Sequence, residues 1–131
     1  MTYKLSKRSM GRLEGVHPDL VEVITESIKR VPVDFGISEG MRTVERQKEL
    51  VASGASTTMN SRHLTGHAID FFAVVAGEVR WDWPLYHQIA DVIIEVAKEL
   101  DVSIDAGAKW KNFPDGPHVQ LAWKAYPKGG A

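Results

Sequence analysis

The chain has 131 residues, the size of one ordinary domain, and this length is sufficient to bury a hydrophobic core without covalent cross-links. Its 16 basic and 17 acidic residues nearly cancel, which argues against a nucleic-acid-binding surface, and no apolar stretch is long enough for stable membrane insertion. Cysteine is absent, so disulfide bonds and cysteine-ligated metals are excluded, and any metal must be bound by His, Asp or Glu.

Residues 1–15 carry scattered polar and basic side chains, which predict an N-terminal arm or a short helical turn. A first helix is predicted over His17–Val31, because Pro18 suits a first helical turn and apolar side chains then recur every three or four positions. Pro32 ends this helix. The following segment, Val33–Met41, spaces apolar residues between glycines and predicts a short strand.

A second helix is predicted from the cap residue Thr43 to Gly54. Its inward-facing residues are expected to be Val44, Gln47, Leu50 and Val51. The next apolar run, Ile69–Val75, predicts a strand that turns through Ala76–Gly77 into a hairpin. The third helix, Pro84–Leu100, shows the clearest helical periodicity in the chain.

Two short apolar segments, Val102–Ile104 and Val119–Leu121, complete the pattern, and the tail 127–131 is expected to fray. Together the elements predict a single α+β domain over residues 1–131, with three main helices packed on a small, mostly antiparallel sheet. We expect this domain to be a monomer. The tryptophans are expected in the core or in the wall of a cleft, with Trp110 lining the groove; they are Trp81, Trp83, Trp110 and Trp123.

Polar side chains cluster in Ser61–Asp70, at the mouth of the predicted strand that follows. Within this stretch, His63 and Asp70 offer an imidazole nitrogen and a carboxylate oxygen, a ligand set that suits zinc. Catalytic zinc takes three protein ligands and keeps a fourth position for water. The stretch therefore predicts two of the three ligands of a catalytic zinc ion.

The segment Trp110–Val119 contains the remaining parts of such a site. His118 lies at the start of the last strand, and two neighbouring strands can bring it beside the first two ligands. Asp115, three residues upstream across a Gly-Pro turn, can act as the general base that activates water. Arg42, at the end of a predicted strand, is a candidate cation for an oxyanion or a substrate carboxylate. These parts predict a metallopeptidase.

The paired pattern Ser61-x-His63-x-x-Gly66-x-Ala68-x-Asp70 and Asp115-x-x-His118 resembles the signature of the zinc D-alanyl-D-alanine carboxypeptidase and L-alanyl-D-glutamate peptidase family. Its hedgehog-like zinc fold is shared with lysostaphin-type peptidases and the hedgehog signalling domain. The similarity to the compact phage endolysins of this family covers nearly the whole chain. It extends to five further segments, Leu13–Leu20, Val33–Phe35, Glu39–Thr43, Met59–His63 and Trp110–Phe113.

The resemblance implies that the zinc ligands are His63, Asp70 and His118, with Asp115 as the general base. It also implies that Arg42 and Ser61 hold the substrate or polarise the scissile carbonyl, and that Gln47 assists substrate contact. His67 occupies a variable position of the motif, so we expect it outside the ligand set, either exposed or supporting a ligand.

The chain departs from the family pattern at two places. Gln120 stands where relatives often have a glutamate two residues after the last ligand, which removes a carboxylate that could orient the histidine and weakens zinc binding modestly. The loop Asp105–Lys109 replaces a Trp-Gly-Gly-Asp segment, so this wall of the cleft is expected to differ. Neither change touches a ligand.

The predicted function is hydrolysis of a peptide bond in the peptidoglycan stem peptide, by resemblance the bond between L-alanine and D-glutamate, in phage-driven lysis of a host cell. One alternative is a D-Ala-D-Ala carboxypeptidase or dipeptidase of bacterial wall metabolism. A second is a zinc-stabilised binding module without turnover. Because no signal peptide is evident at the amino end, the protein is expected to be made in the host cytoplasm and to reach the wall after release.

Overall fold

The structure, a computed structural model, describes residues 2–56, 59, 61–110 and 115–127. The helices are α1 (Lys7–Arg12), α2 (Pro18–Ser27), α3 (Val44–Ala52) and α4 (Trp83–Glu99). The strands are β1 (Asp34–Glu39), β2 (Ala68–Val75), β3 (Glu78–Arg80), β4 (Ile104–Ala106) and β5 (His118–Leu121). Two short 3₁₀ turns cover Arg62–Thr65 and Gly107–Lys109.

The sheet runs in the order β1-β2-β5-β4, and β3 pairs with the far end of β2 as a hairpin. Each strand pair in the described part of the chain is antiparallel. The predicted α+β architecture, with three main helices α2, α3 and α4 and a small antiparallel sheet, is confirmed.

Alternation along the strands separates a core face from a polar face. In β2, Ile69, Phe71 and Ala73 are fully buried, whereas the intervening Asp70 points to the other side of the sheet. The core face packs against the apolar stripes of α2 and α4, whose fully buried side chains include Leu20, Val23, Ile24, Ile89 and Ile93. Burying each such aliphatic side chain stabilises the fold by about 1.5–3 kcal/mol.

The structure decides between two pairs of predicted alternatives and corrects the predicted inward face of α3. The amino-terminal residues are not a loose arm: Ser6 caps α1, which packs on β1, and the following Leu13 is buried. In α3, Val44 and Val51 are exposed rather than inward, and the fully buried side chain of the helix is the polar Gln47, which bonds to Arg42 and Ser56. Trp81 is 62% exposed and lies in the wall of a surface depression rather than in the core.

Parts of the predicted segments lie outside the described residues, among them residue 60 of Met59–His63, residues 111–114 of Trp110–Val119 and residues 128–131 of the tail. Within the described chain, no helix combines the length and the apolar character that are needed to cross a membrane.

Candidate active site

Asp70 and His118 are brought together by the register of the sheet. They are directly paired residues of β2 and β5, and the same alternation directs both side chains away from the core. The distance from Asp70 Oδ1 to His118 Nδ1 is 3.1 Å. On the other edge of β2, Asp70 pairs with Glu39 of β1, so polar residues of three adjacent strands meet here.

His63 reaches the same point from the 3₁₀ turn that precedes β2. The Ser61 hydroxyl caps this turn by accepting the His63 N–H at 3.2 Å, and Gly66 ends it in the left-handed conformation with φ of 74°. Inside the turn, the His63 ring is buried, its Nδ1 lies 2.8 Å from the Gly40 carbonyl oxygen, and its Nε2 lies 3.3 Å from Asp70 Oδ1. The hydrogen bond to Gly40 leaves the lone pair of Nε2 directed at the shared point.

His118 is oriented in the same way by a different partner. Its Nε2 lies 2.8 Å from Gln120 Oε1, which is also on the polar face of β5. An imidazole that donates one N–H to an oxygen presents its other nitrogen as a ligand with fixed orientation. Relatives often have a glutamate at position 120, and the sequence predicted that its orienting carboxylate is lost here. The amide oxygen of Gln120 supplies a hydrogen-bond acceptor in its place.

The pKa values of Asp70 and His118 are shifted in opposite directions because the two side chains contact each other. Burial alone raises the pKa of Asp70, but the hydrogen bonds and charges of His118 and His63 outweigh it and hold the pKa far below its usual value. Burial lowers the pKa of His118, whereas the hydrogen bond and charge of Asp70 raise it, with a raised pKa as the result. The carboxylate is thus the charge that the two imidazoles surround.

The donor set fits a small divalent metal. One ligand atom from each of His63, Asp70 and His118 lies within 4.8 Å of the others. Tetrahedral zinc with bonds of about 2.0–2.1 Å separates its donor atoms by roughly 3.3 Å, and the distances from Asp70 Oδ1 to the two imidazole nitrogens are 3.3 and 3.1 Å. Two nitrogens and one oxygen are also the ligands that zinc accepts in sites without cysteine.

The donor cluster opens into a polar groove of about 380 Å³. Its lining comes from the end of β1, from α3 and the segments on either side of it, from the 3₁₀ turn before β2, and from the residues at and before the starts of β2 and β5. The residues that line it are Glu39, Arg42, Arg46, Leu50, Ala55, Ser56, Ser61, His63, Asp70, Asp115 and His118. The groove thus contains each predicted metal ligand, the predicted base Asp115 and the predicted substrate-binding residues Arg42 and Ser61.

Arg42 is held in the groove wall by two partners. Its Nε and Nη2 groups donate to Glu39 Oε1, with an Nε distance of 3.0 Å, and its Nη1 donates to Gln47 Oε1 at 2.7 Å. Gln47 is fully buried and donates in turn to Ser56 Oγ at 2.9 Å. Gln47 therefore contacts Arg42 rather than the open groove. Glu39 also pairs with Asp70 across the sheet, which brings its carboxylate into the groove lining.

Asp115 lies at the rim of the groove with an exposed side chain. Its N–H donates to the Gly107 carbonyl at 3.0 Å, and its own carbonyl accepts the His118 N–H at 3.1 Å, so its backbone is fixed on both sides. A Cβ on Gly107 would lie 2.2 Å from the Asp115 carbonyl oxygen, so this close approach requires glycine. Partial desolvation and the negative charge of Asp70 raise the pKa of Asp115.

Trp110 and His67 lie outside the groove lining. The Trp110 ring packs beside His118, with 5.3 Å between centroids, so it buttresses a ligand, and a contact with substrate stays a prediction. His67 is absent from the described group of metal donors, as expected, but it is buried, not exposed. Its Nδ1 lies 2.6 Å from the Thr65 hydroxyl, and burial together with the charges of Arg62 and His17 lowers its pKa.

Comparison with known proteins links this geometry to one group of enzymes. The family described as phage L-alanyl-D-glutamate peptidase matches residues 1–122. The L-alanyl-D-glutamate peptidase of Escherichia phage T5 is 31% identical over 136 aligned residues, covering 92% of this chain and 99% of that protein. The L-alanyl-D-glutamate peptidase of Listeria phage A118 is 41% identical over 94 residues, covering 72% of this chain and 32% of that protein.

A solved structure shares the whole architecture. The crystal structure of the Serratia marcescens L-Ala D-Glu endopeptidase ChiX superposes with a TM-score of 0.89 and 47% sequence identity, covering 92% of this chain and 91% of that chain. The two chains are thus similar in sequence as well as in fold over nearly their full lengths.

Proposed function

Because the chain belongs to the phage L-alanyl-D-glutamate peptidase family, we propose that it hydrolyses the bond between L-alanine and D-glutamate in the peptidoglycan stem peptide. The observation that carries the proposal is the juxtaposition of a His-Asp-His donor cluster with an exposed carboxylate, Asp115, in one polar groove. This combination matches the requirements of metal-assisted hydrolysis.

We propose zinc as the metal, held by His63 Nε2, Asp70 and His118 Nδ1. When bound, zinc supplies Lewis acidity that polarises the scissile carbonyl and makes the attacking water more acidic. The hydrogen bonds from His63 to Gly40 and from His118 to Gln120 support this assignment, because they direct one nitrogen of each ring to the same point.

Asp115 is proposed as the general base. Its carboxylate accepts the proton of the attacking water and then delivers it to the leaving amine of D-glutamate, so that no charged amide anion has to leave. Its backbone contacts with Gly107 and His118 support the role, because they hold the main chain that carries the carboxylate beside the strand of His118.

Arg42 is proposed to bind the oxyanion or a substrate carboxylate, with Ser61 beside it. A guanidinium has five N–H donors, and three bonds to Glu39 and Gln47 use part of them, so donors remain for the groove. We assign Gln47 to positioning Arg42, since the amide is buried behind it. Arg46 adds a second cation to this wall and suits the carboxylate of D-glutamate.

Peptidoglycan lies outside the cytoplasmic membrane, so the site of action is proposed to be the cell wall, reached after release from the cytoplasm. A monomer is proposed as the active form, because the described donors and groove residues come from one chain.

The test is to digest purified peptidoglycan with the zinc-loaded protein and to identify the new amino termini by mass spectrometry. We expect D-glutamate to appear as the new amino terminus while the terminal D-alanine remains attached. Release of free D-alanine with an intact L-Ala to D-Glu bond would instead assign a D-Ala-D-Ala carboxypeptidase. Binding without any new amino terminus would assign a module without turnover.

A further inference from the structure

An exposed aromatic surface borders the candidate active groove. It consists of Trp81, Trp83, Tyr86, Gly116 and Pro117, which line a shallow depression, and it is called the tryptophan ledge below. Trp81 is 62% exposed and Trp83 is 47% exposed, although large aromatic side chains normally bury most of their area. The mechanism proposed above uses neither tryptophan.

The Trp81 ring is packed from behind by Tyr86, which is itself held by hydrogen bonds. The Trp81 ring stacks parallel to the buried Tyr86 ring, with 5.9 Å between centroids and 4° between planes. The Tyr86 hydroxyl donates to the Arg80 carbonyl at 2.7 Å and accepts the Ala73 N–H of β2 at 3.0 Å. One indole face is therefore supported from behind, and the other stays open to solvent. Such preorganised aromatic faces bind ligands without a large loss of side-chain entropy.

The ledge and the candidate base share one backbone segment. Gly116 directly follows Asp115, and a Cβ built on Gly116 would lie 3.3 Å from Cζ3 of Trp83 and 3.4 Å from Tyr86. The main chain at Gly116 therefore lies in contact with the ledge on one side, while Asp115 faces the groove. The tryptophan ledge therefore adjoins the Asp115 side of the groove through this backbone segment.

Charge distinguishes the two ends of the groove. On the ledge side, Arg80 and Asp82 neutralise each other in an ion pair at 2.7 Å, and the ledge itself carries no charge. Along the start of α3, the groove is lined by the guanidinium groups of Arg42 and Arg46, which pair with Glu39 and Glu49. Each guanidinium has five N–H donors, so donors remain for a substrate carboxylate. The ledge side thus suits a neutral ligand with apolar faces, and the α3 side suits carboxylates.

The proposed substrate likewise has a neutral sugar on one side of the scissile bond and a carboxylate on the other. In peptidoglycan, the L-alanine amine is bonded to the lactyl group of N-acetylmuramic acid, and D-glutamate carries a carboxylate on the other side of the scissile bond. The alanyl and lactyl units are together about two residues long, so the sugar lies within roughly 7 Å of the scissile carbonyl. The sugar is a neutral ring whose C–H faces can cover an exposed indole.

We propose that the tryptophan ledge is a subsite for the N-acetylmuramic acid unit of the glycan strand. This inference rests on the proposed function and specifies the substrate as glycan-linked stem peptide, with the glycan on the Asp115 side and D-glutamate on the Arg42 side. Trp81 and Trp83 are the binding residues that distinguish a glycan-linked peptide from a free one.

The experiment compares two substrates: a disaccharide-linked stem tetrapeptide, and the same tetrapeptide with an acetyl group on its L-alanine. For Trp81→Ala and Trp83→Ala, we expect kcat/KM on the disaccharide-linked substrate to fall about tenfold, the size expected when one apolar contact face is lost. On the acetylated peptide, the same variants are expected to match the wild type within about twofold. Trp81→Phe keeps a ring and is expected to retain most of the activity.

Trp123→Ala is the matched control, because Trp123 is also exposed at 39% but lies over Arg62, away from the ledge. It is expected to leave the ratio of the two substrates unchanged. Thermal unfolding of each variant checks that the fold is intact. A fall on both substrates alike, or on neither, overturns the subsite while wild-type cleavage of the acetylated peptide still supports the proposed function. If the wild type cleaves neither substrate, the proposed function itself fails.

A binding measurement gives a second readout that does not depend on turnover. Peptide-free N-acetylated glycan oligosaccharide is titrated into isotopically labelled protein, and the indole N–H signals are followed by NMR. We expect the signals of Trp81 and Trp83 to shift and that of Trp123 to stay in place. Unmoved Trp81 and Trp83 signals at saturating oligosaccharide overturn the proposal.

Discussion

Asp70 connects the two halves of the candidate site at the scale of single residues. Its carboxylate lies within 3.3 Å of imidazole nitrogens from both His63 and His118, which are 55 positions apart in sequence. Without a metal, the Asp70 carboxylate stabilises the cationic form of the His118 imidazole and raises its pKa. With a divalent cation, the three side chains can all bind the same ion. The same side chain can therefore hold the histidines in place before and after metal binding.

Replacing the base and replacing a ligand should have separable effects. Asp115→Ala is expected to keep the metal, since Asp115 is not among the described donor atoms, and to lower kcat by about 10² to 10⁴ through loss of general base catalysis. His118→Ala removes a donor and should lose both metal and turnover. Metal content by atomic absorption and peptidoglycan hydrolysis are measured on the same preparations. Full activity in Asp115→Ala contradicts the base assignment.

The sequence indicated the candidate site residues, but it did not indicate the contacts that orient them. His63, Asp70 and His118 could be predicted because their residue types and spacing are specific to a known chemistry, and the register of β2 and β5 brings two of them together. The positions of Glu39 and the Gly40 carbonyl depend on pairing between distant strands. No local pattern encodes that pairing, so these contacts emerged only from the structure.

At the scale of elements, the turn that carries His63 depends on one glycine. Gly66 has φ of 74°, and a Cβ there would lie 2.3 Å from the Gly15 carbonyl oxygen, which belongs to the backbone and cannot easily move. Gly66→Ala is therefore expected to destabilise the protein by about 3 kcal/mol or more, from left-handed strain plus the clash. Urea unfolding measures the free energy.

Gly77 provides the matched control for this substitution. It has φ of 80° in the hairpin between β2 and β3, and a Cβ there would meet nothing within 4 Å. Gly77→Ala should cost only the left-handed strain, about 1 kcal/mol. Equal destabilisation by the two substitutions would show that crowding at Gly15 plays no part.

The three main helices were predicted correctly, but the buried face was predicted correctly only where an apolar stripe meets the core. The repeats in α2 and α4 face the sheet, so periodicity gave both helices. In α3, the apolar residues Val44 and Val51 lie in solvent, because the helix is held by a polar contact through Gln47 that hydrophobic periodicity does not report. For α1, one capping serine and a six-residue length gave too little pattern to distinguish a helix from an arm.

At the scale of the whole molecule, the hydrophobic core and the candidate active site lie on opposite faces of the sheet. One face is packed by α2 and α4, while the donor cluster lies on the opposite face of β2 and β5. The hydrophobic core contains none of the three predicted ligands, so its formation does not require them. We therefore expect the protein without metal to be folded, unlike small domains whose core exists only around a structural zinc ion.

Chelation tests this separation together with the metal assignment. Exhaustive chelator treatment should abolish hydrolysis and leave native circular dichroism. Free zinc at a hundredfold excess over its Kd should stabilise the folded state by about 2.7 kcal/mol, and at roughly 4 °C per kcal/mol for a domain of this size the Tm should rise by about 10 °C. His118→Ala, which lacks one donor, should show almost no rise. Hydrolysis that survives removal of the metal contradicts the proposed mechanism. Unfolding on chelation would show that the hydrophobic core depends on the donor cluster on the opposite face of the sheet, contrary to our expectation.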